Sequence, residues 1–404
     1  MLIRNGLLRL SLMVAIVLAS VLVRAQSSMP FSFLPPGFVP GVSLMPTKTP
    51  VAKNPGDLIL SSKNFEFHYS LILLGVKQES AYENYNIVSF RIYSLMKYRI
   101  SDDLILWVEP FLIFRTGSDQ SASGNSHSGT VFIPKDASLI WTPAAWFQLR
   151  GGVLDQNFVH SFLMLEDQAF PGIRSTMYFG DGDLRGSWLA EQSIITFSSN
   201  TNSTNQIEQT PTLTSTTFES HYTFDRHDQI KLSLGYWQYD NLPSSVAAES
   251  MLNGNTVDRV SDSYSAFTYK FRGYEARTRL ELNFGRFDLN LYSEGIYNSA
   301  APKGLNTGYS AGNELSFRST PTQKFGMSAE YFHVEPDAAV SSFNAVEFDR
   351  SNRNGMMIQP YFQWGKRQSK ISLRYVTSNL IYTNAPQSEV TQFRIRWETA
   401  YDML

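Results

Sequence analysis

The chain contains no cysteine in its 404 residues. That excludes disulfides, a thiol nucleophile and a lipid-acylated cysteine anchor. It has little net charge. Its 34 Lys and Arg and 36 Asp and Glu leave a formal charge of -2 at pH 7. No global field therefore argues for nucleic acid or a strongly charged partner. Long apolar runs are missing too. Mean hydropathy is -0.20, and beyond the N-terminus no apolar stretch reaches the roughly 18 residues a spanning helix needs. A helical membrane protein is excluded. The histidines, His68, His127, His160, His221, His227 and His333, are not spaced as metal ligands. No repeat of fixed period is visible, which counts against a propeller.

Two N-terminal segments stand apart. Arg4 and Arg9 precede an apolar run from Leu12 to Val23, broken by Ser20, and Val23-Arg24-Ala25 follows. Residues 1–25 read as a cleaved signal peptide with Gln26 as the mature start. An uncleaved anchor is the alternative, although the run is short for spanning. Export without a spanning helix leaves the periplasm, the outer membrane or secretion. Residues 26–60 carry Pro30, Pro35, Pro36, Pro40, Pro46, Pro50 and Pro55. Prolines at this density prevent a hydrogen-bonded ladder and favour extended chain. This segment reads as a periplasmic leader, with a partial plug in the lumen as the alternative.

From Asn64 onward the chain alternates apolar and polar residues in stretches of about ten, as expected of strands with two different faces. Asn64-Phe65-Glu66-Phe67-His68-Tyr69-Ser70-Leu71 opens the pattern, and Gln392-Phe393-Arg394-Ile395-Arg396-Trp397-Glu398 closes it. One face is rich in Phe, Leu, Trp and Tyr, and the other carries Arg and Glu in mid-strand. Lipid outside and water inside satisfy both faces. Short turns such as Ser101-Asp102-Asp103, Thr142-Pro143-Ala144, Asp181-Gly182 and Gly285-Arg286 alternate with long polar loops. Aromatics such as Tyr98, Trp141, Phe224, Phe284, Phe317 and Trp364 sit beside the short turns, where an interfacial girdle belongs. A soluble propeller or sandwich would need packed apolar faces instead. The expectation is an all-β, transmembrane antiparallel up-and-down β-barrel over residues 61–404, of about 16 strands. To keep the count even, Ser263 to Phe284 is read as one long strand with a bulge at Arg272-Gly273. The alternative is about 18 strands, one of them between Asp240 and Val260. The strand from Ser187 to Phe197 shows no clear outward face.

With this architecture the chain resembles bacterial outer-membrane porins, over Asn64 to Leu404. Trp141-Thr142-Pro143-Ala144-Ala145-Trp146-Phe147-Gln148-Leu149-Arg150-Gly151-Gly152 is similar to the strand-turn-strand unit of substrate-preferring porins, including the alginate-export type. The resemblance implies a non-enzymatic, water-filled channel for passive diffusion of small polar solutes or ions. It implies a Gram-negative outer membrane, with lipid and lipopolysaccharide around the barrel and both termini periplasmic. It also implies barrel-assembly machinery during insertion, with a homotrimer among the possible assemblies. The chain departs from the family in ending at Leu404, with Trp397 and Tyr401 upstream, where porins end in an aromatic residue.

If the apolar face meets lipid, its neighbours line the lumen, because a charge on the lipid face near the midplane costs about 2–4 kcal/mol. The candidate pore-lining bases are Arg91, Arg150, Arg277, Arg279, Arg374, Arg394 and Arg396. Arg374, Arg394 and Arg396, on the last two strands, would continue across the closure to Arg91 as one basic patch. The third long loop, Leu154 to Gly172, is unusually apolar and is expected to fold against the inner wall. Its Asp155, Glu166 and Asp167 would then oppose the arginines and set ion preference. Glu109 and Glu281 are further lumen acids. The bland alternative is a charge network that only stiffens the lumen. Adhesion through the long loops and a barrel enzyme remain as other classes. No cofactor or metal is called for: Gly180-Asp181-Gly182-Asp183 lacks a full calcium-loop pattern and reads as a turn.

Overall fold

The computed structural model describes residues 61–62, 64–81, 83–121, 129–157, 159–166, 168–195, 207–225, 228–261, 264–345, 348–365 and 369–399. The signal peptide and leader expected over residues 1–60 lie outside them, as do Asp167, Tyr401 and Leu404.

Sixteen antiparallel strands close into one barrel. They are β1 (Phe65–Ser80), β2 (Glu83–Arg99), β3 (Leu104–Ser121), β4 (Gly129–Ala144), β5 (Phe147–Asp155), β6 (Ala169–Asp181), β7 (Leu184–Ile194) and β8 (Thr212–Asp225). There follow β9 (Asp228–Asp240), β10 (Arg272–Phe284), β11 (Phe287–Asn298), β12 (Thr307–Thr320), β13 (Gln323–Val334), β14 (Arg353–Trp364), β15 (Ser369–Leu380) and β16 (Val390–Glu398). Each strand pairs with its sequence neighbour, and β16 returns to β1 from Val390↔Ser80 to Glu398↔Ile72. Closure removes the sheet edges that a membrane cannot hydrate. The shortest strands, β5 and β16, have 9 residues, about the length that spans hydrocarbon when tilted.

The period of two places the apolar series outside. Leu373 and Ile395 are 41% and 44% exposed on that face, whereas the intervening Arg374 is 6% exposed. The strand whose facing the sequence left open is settled in the same way: Trp188 and Ile194 point outward, and Ser187, Glu191 and Ser193 are buried inside.

One expectation needs correction. Ser263 to Phe284 is not a single bulged strand. Tyr264–Phe267 pairs with Val257–Ser261 in a separate two-stranded hairpin, and the barrel strand starts at Arg272. The β9–β10 register passes Gln238↔Arg272 and Trp237↔Gly273 without a shift. Gly273 is required there because a Cβ would lie 1.7 Å from the Tyr297 carbonyl oxygen. The segment from Asp240 to Val260 holds a short helix, α1 (Ser244–Leu252), and the first arm of the hairpin, not a barrel strand. The extra beat in the sequence is therefore real, but it belongs to a loop. Counting it in the barrel would have broken the parity.

One barrel end carries tight turns, such as 145–146, 182–183, 285–286 and 321–322. The other carries the longer connections, apart from the two residues 81–82 between β1 and β2. Three of these matter below: L3 (156–168), L5 (241–271) and L7 (335–352). They fold inward and share one apolar core. Leu163, Met164 and Leu165 of L3 meet Val246 of α1, and Val340, Phe343 and Phe348 of L7. Phe162 and Phe170 stand edge-on to Phe348 and Phe343, and Phe332 stacks on Phe348 at 3.9 Å.

Candidate functional site

Register assembles the basic wall. Arg374 lies directly opposite Arg394 across β15–β16, and Arg396 is two residues further along β16. The β16–β1 pairing sets Val76 beside Arg394 and Leu74 beside Arg396. On β2, Arg91 pairs with Ile72, and on β3 Arg115 pairs with Ser89. Arg91 is within electrostatic reach of Arg394, Arg396 and Arg115, and its Nε donates to Ser89 Oγ at 3.2 Å. Arg91, Arg374, Arg394 and Arg396 thus gather across the closure. Arg115 joins them, although the sequence did not single it out. The signal was present, since Arg115 alternates with outward Phe114, but it sat at the edge of what read as a loop. Within the patch, Arg396 pairs with Glu398 at 2.5 Å, and Lys370 lies 3.8 Å from the same carboxylate.

The other candidate bases are held differently. Arg150 is buried on Asp136 at 2.7 Å, and its Nε donates to Ser138 Oγ. Arg174, directly opposite Arg150, is buried on Glu191 at 2.6 Å and donates to the Asp155 carbonyl at 2.9 Å. Arg277 pairs with Glu219 at 3.0 Å, and Arg279 and Lys231 each approach Glu281 to 2.9 Å. A charge this far from water persists when an opposite charge and hydrogen bonds compensate its desolvation. Glu109 accepts a bond from Trp107 Nε1 at 2.8 Å. Asp155 is buried at the root of L3, where its backbone N–H donates to Asp136 Oδ2 and its Oδ1 accepts the Asn157 N–H.

L3 reaches across to the β10–β11 wall. His160 Nδ1 lies 2.7 Å from Glu275 Oε1, and the Ser161 N–H donates to Glu275 Oε2 at 2.6 Å. Ser161 Oγ donates to Glu294 Oε2 at 2.6 Å. Arg277 donates to the carbonyls of Val159 and His160. Gly235 leaves the space Glu275 occupies, because a Cβ there would lie 2.8 Å from Glu275 Cγ. L7 holds the loop's far side: the Glu166 N–H donates to the Phe343 carbonyl, and the Ala345 N–H to the Phe162 carbonyl. Of the candidate loop acids, Glu166 is half-buried at this joint.

The shared apolar core also takes inward side chains from the wall, including Phe170 (β6), Leu213 (β8), Trp237 (β9), Ile296 (β11), Phe332 (β13), Met357 (β14) and Val376 (β15). Among the described residues it takes none from β16 or from β1–β5. The loop core is therefore eccentric in the strands it uses: of the basic wall, only Arg374 sits on a strand that contributes to it, through Val376 on β15.

L5, L6 (299–306) and L7 meet at Asp337, which is fully buried. Its Oδ1 accepts the Thr256 N–H at 2.9 Å, its N–H donates to the Leu305 carbonyl, and its carbonyl accepts Asn298 Nδ2. Among the described residues Oδ2 has no hydrogen-bond partner. Burial pushes the Asp337 carboxyl up to about 6, against the smaller opposing effect of the Thr256 and Asn255 hydrogen bonds.

No protein-family model matches the sequence, and no curated protein sequence matches it. In fold, OprB of Pseudomonas putida, in its high-pH structure, is similar over 83% of this chain and 94% of its own, with 9% identity and a TM-score of 0.54. OmpF of Salmonella typhi, solved in complex with daunomycin, covers 83% of this chain and 98% of its own at 10% identity and a TM-score of 0.48. OccAB4 of Acinetobacter baumannii covers 86% and 100% at 8% identity and a TM-score of 0.47. With its closed ring of sixteen antiparallel strands, this chain has the fold of the bacterial outer-membrane porins.

Proposed function

We propose that the protein is an outer-membrane channel for passive diffusion of small polar solutes or ions, with a preference for anions. The observation that carries this reading is the gathering of Arg91, Arg115, Arg374, Arg394 and Arg396 across the barrel closure, largely on strands that the loop core does not use. The loop core leans on the wall from β6 round to β15. Solutes then pass along the remaining side, where Arg91, Arg115, Arg374, Arg394 and Arg396 line the route. Charge clustered at a narrow point attracts the opposite ion and repels its own kind. Glu166 on the facing loop and Asp155 at its root supply the other pole of a transverse field; the third expected acid, Asp167, lies outside the described residues. Arg150, Arg277, Arg279, Glu109 and Glu281 act mainly by holding wall and loop in place.

In this reading the tight turns face the periplasm, together with both chain ends, and the long loops face outward. The exposed Leu, Ile and Phe of the outer face meet lipid and lipopolysaccharide, and conduction rather than catalysis is the activity. Purified protein in a planar bilayer should give stepwise conductance and a reversal potential of anionic sign in a salt gradient. Failure to conduct under every reconstitution would sink the proposal.

A further inference from the structure

A second apolar surface lies inside the barrel, on strands that the loop core leaves out. Ile72 and Leu74 of β1, Ile87 of β2, and Phe111 and Ile113 of β3 alternate with the outward Leu73, Val88 and Phe114, so they face the lumen. Register sets them side by side. Val76 is opposite Ile87, and Arg91 stands between Ile72 and Ile113. Tyr93 stacks on Phe111 at 3.9 Å and adds an aromatic step. These five apolar residues are only 2–6% exposed, whereas side chains facing a water-filled lumen would be open to it. Among the described residues, none of the five belongs to the core of L3, L5 and L7.

Ser61 and Ser62, where the described residues begin, give the chain its direction. Ser61 pairs with Glu66 and Ser62 with Phe65, antiparallel to β1. Traced backward from Ser62, the chain runs beside β1 from the tight-turn end toward the long loops. That edge of β1 is already taken higher up. The Thr399 N–H donates to the Leu71 carbonyl, Ser70 Oγ donates to the Thr399 carbonyl, and β16 pairs from Ile72 onward. A chain that keeps this register meets Thr399 within a few residues and must leave the sheet, either into lipid or into the lumen. Lipid cannot bond the free carbonyls of a proline-rich segment. We propose that the leader turns into the lumen and that residues 34–45 dock on the inner face of β1–β3, narrowing the passage there. Leu34-Pro35-Pro36-Gly37-Phe38-Val39-Pro40-Gly41-Val42-Ser43-Leu44-Met45 carries no charge and is too apolar for a solvated linker. Extended proline-rich chain docks on apolar and aromatic surfaces at low entropic cost. The climb from the level of Glu66 to that of Leu74 is about 26 Å of strand. Polyproline II covers it in about nine residues, so residues 46–60 suffice as the tether. Docking stands apart from the conduction reading above; the narrowing rests on it.

The test uses the absence of cysteine: one introduced thiol is the only one in the chain. S89C and I113C, each alone, place it on this face, where Ser89 is buried between Leu74 and Arg115 in register. The purified full-length protein is treated with a charged methanethiosulfonate. Both thiols should be protected, and replacing residues 34–46 by a Gly-Ser sequence of equal length should remove the protection. Labelling that is equal with and without the replacement overturns the docking. Equal and fast means that nothing covers the face, and equal and slow means that the loops or a second copy cover it. Heat-modifiable migration on gels checks that each variant forms a barrel. If the Gly-Ser variant does not fold, F38S/V42S/L44S in the full chain replaces it and should expose both thiols in part; unchanged protection overturns the docking. In planar bilayers the Gly-Ser variant should give a larger single-channel conductance than the wild type, and an equal conductance rejects the narrowing. Absence of any conductance from either protein refutes the conduction reading, and labelling then decides the docking alone.

Discussion

Replacing Asp337 by Asn should remove a pH dependence that belongs to the loop cap rather than to the barrel. The wild-type carboxyl is pushed from its ordinary 3.8 up to about 6 by burial. A raised carboxyl means that the folded cap prefers the protonated form. Its stabilising contribution is complete below about pH 3.8 and is lost as pH climbs through about 6. At roughly 1.4 kcal/mol per unit, the loss is at most about 3 kcal/mol, or roughly 150-fold in the equilibrium for opening the joint. Asn keeps an oxygen for the Thr256 N–H and puts an amide where Oδ2 has no partner. That buried donor costs about 1–3 kcal/mol, but equally at every pH. Hydrogen exchange at Thr256 and Ser341 reports the joint, because the first bonds to Asp337 and the second to Asn255 beside it. After correction for intrinsic exchange, wild-type protection should drop between pH 4 and 7, and D337N should stay level. The reasoning fails if the variant keeps the drop or if the wild type shows none.

Simultaneous Arg374→Ala, Arg394→Ala and Arg396→Ala should shift the reversal potential toward cations, and unchanged potentials would reject the basic-wall assignment. Arg174→Ala leaves Glu191 buried without its ion-pair partner, so a loss of about 3–5 kcal/mol is expected; barrel melting followed by heat-modifiable migration measures it. Gly235→Ala places a methyl 2.8 Å from Glu275 Oε1, which should displace the carboxylate from the Ser161 N–H and lower hydrogen-exchange protection at Ser161; unchanged protection would show that Glu275 does not hold the loop. Arg115→Ala should weaken anion preference in the same direction as the triple variant and by a smaller amount; no change in reversal potential would remove it from the pathway.

Strand number and facing were legible because a half-buried strand repeats every two residues, and outward Leu373 and inward Arg374 follow directly from that rule. The inward fold of L3 was legible too, since Leu163-Met164-Leu165 is too apolar for a loop left in water. The hairpin at Tyr264–Phe267 was not legible. A strand in a loop alternates like a strand in a barrel, and only its partner, Val257–Ser261, distinguishes them. The sorting of the arginines was hidden for a related reason. Arg150 meets Asp136, and Arg174 meets Glu191, through the register of neighbouring strands, and the alternation of one strand does not contain the register of the next. L7 gave no warning either: Ala338-Ala339-Val340-Ser341-Ser342 is small and mixed, and it becomes core only by meeting L3 and α1.

That meeting explains why the three loops pack as one body. Ordering a loop residue costs about 1–2 kcal/mol of backbone entropy, and burying a Leu or Phe contributes roughly 1.5–3 kcal/mol. Leu163, Met164 and Leu165 offset their own ordering only if something dry covers them, and L7 supplies Phe343 and Phe348. The polar residues of L7 are buried in the process and must then be bonded. Ser341 Oγ donates to the Ser250 carbonyl, Ser342 Oγ lies 2.6 Å from Ser250 Oγ, and Asn344 Nδ2 donates to Ser351 Oγ. Those partners come from α1 and from L7 itself, so L3, L5 and L7 stabilise one another as a unit that no single loop could form. Such a unit needs a wall that is apolar at its inner rim, and Trp237, Ile296, Phe332, Met357 and Val376 provide one from β9 to β15. The arc of Arg374, Arg394, Arg396, Arg91 and Arg115 begins where that apolar rim ends, so the wall changes from a surface that anchors loops to one that presents charge.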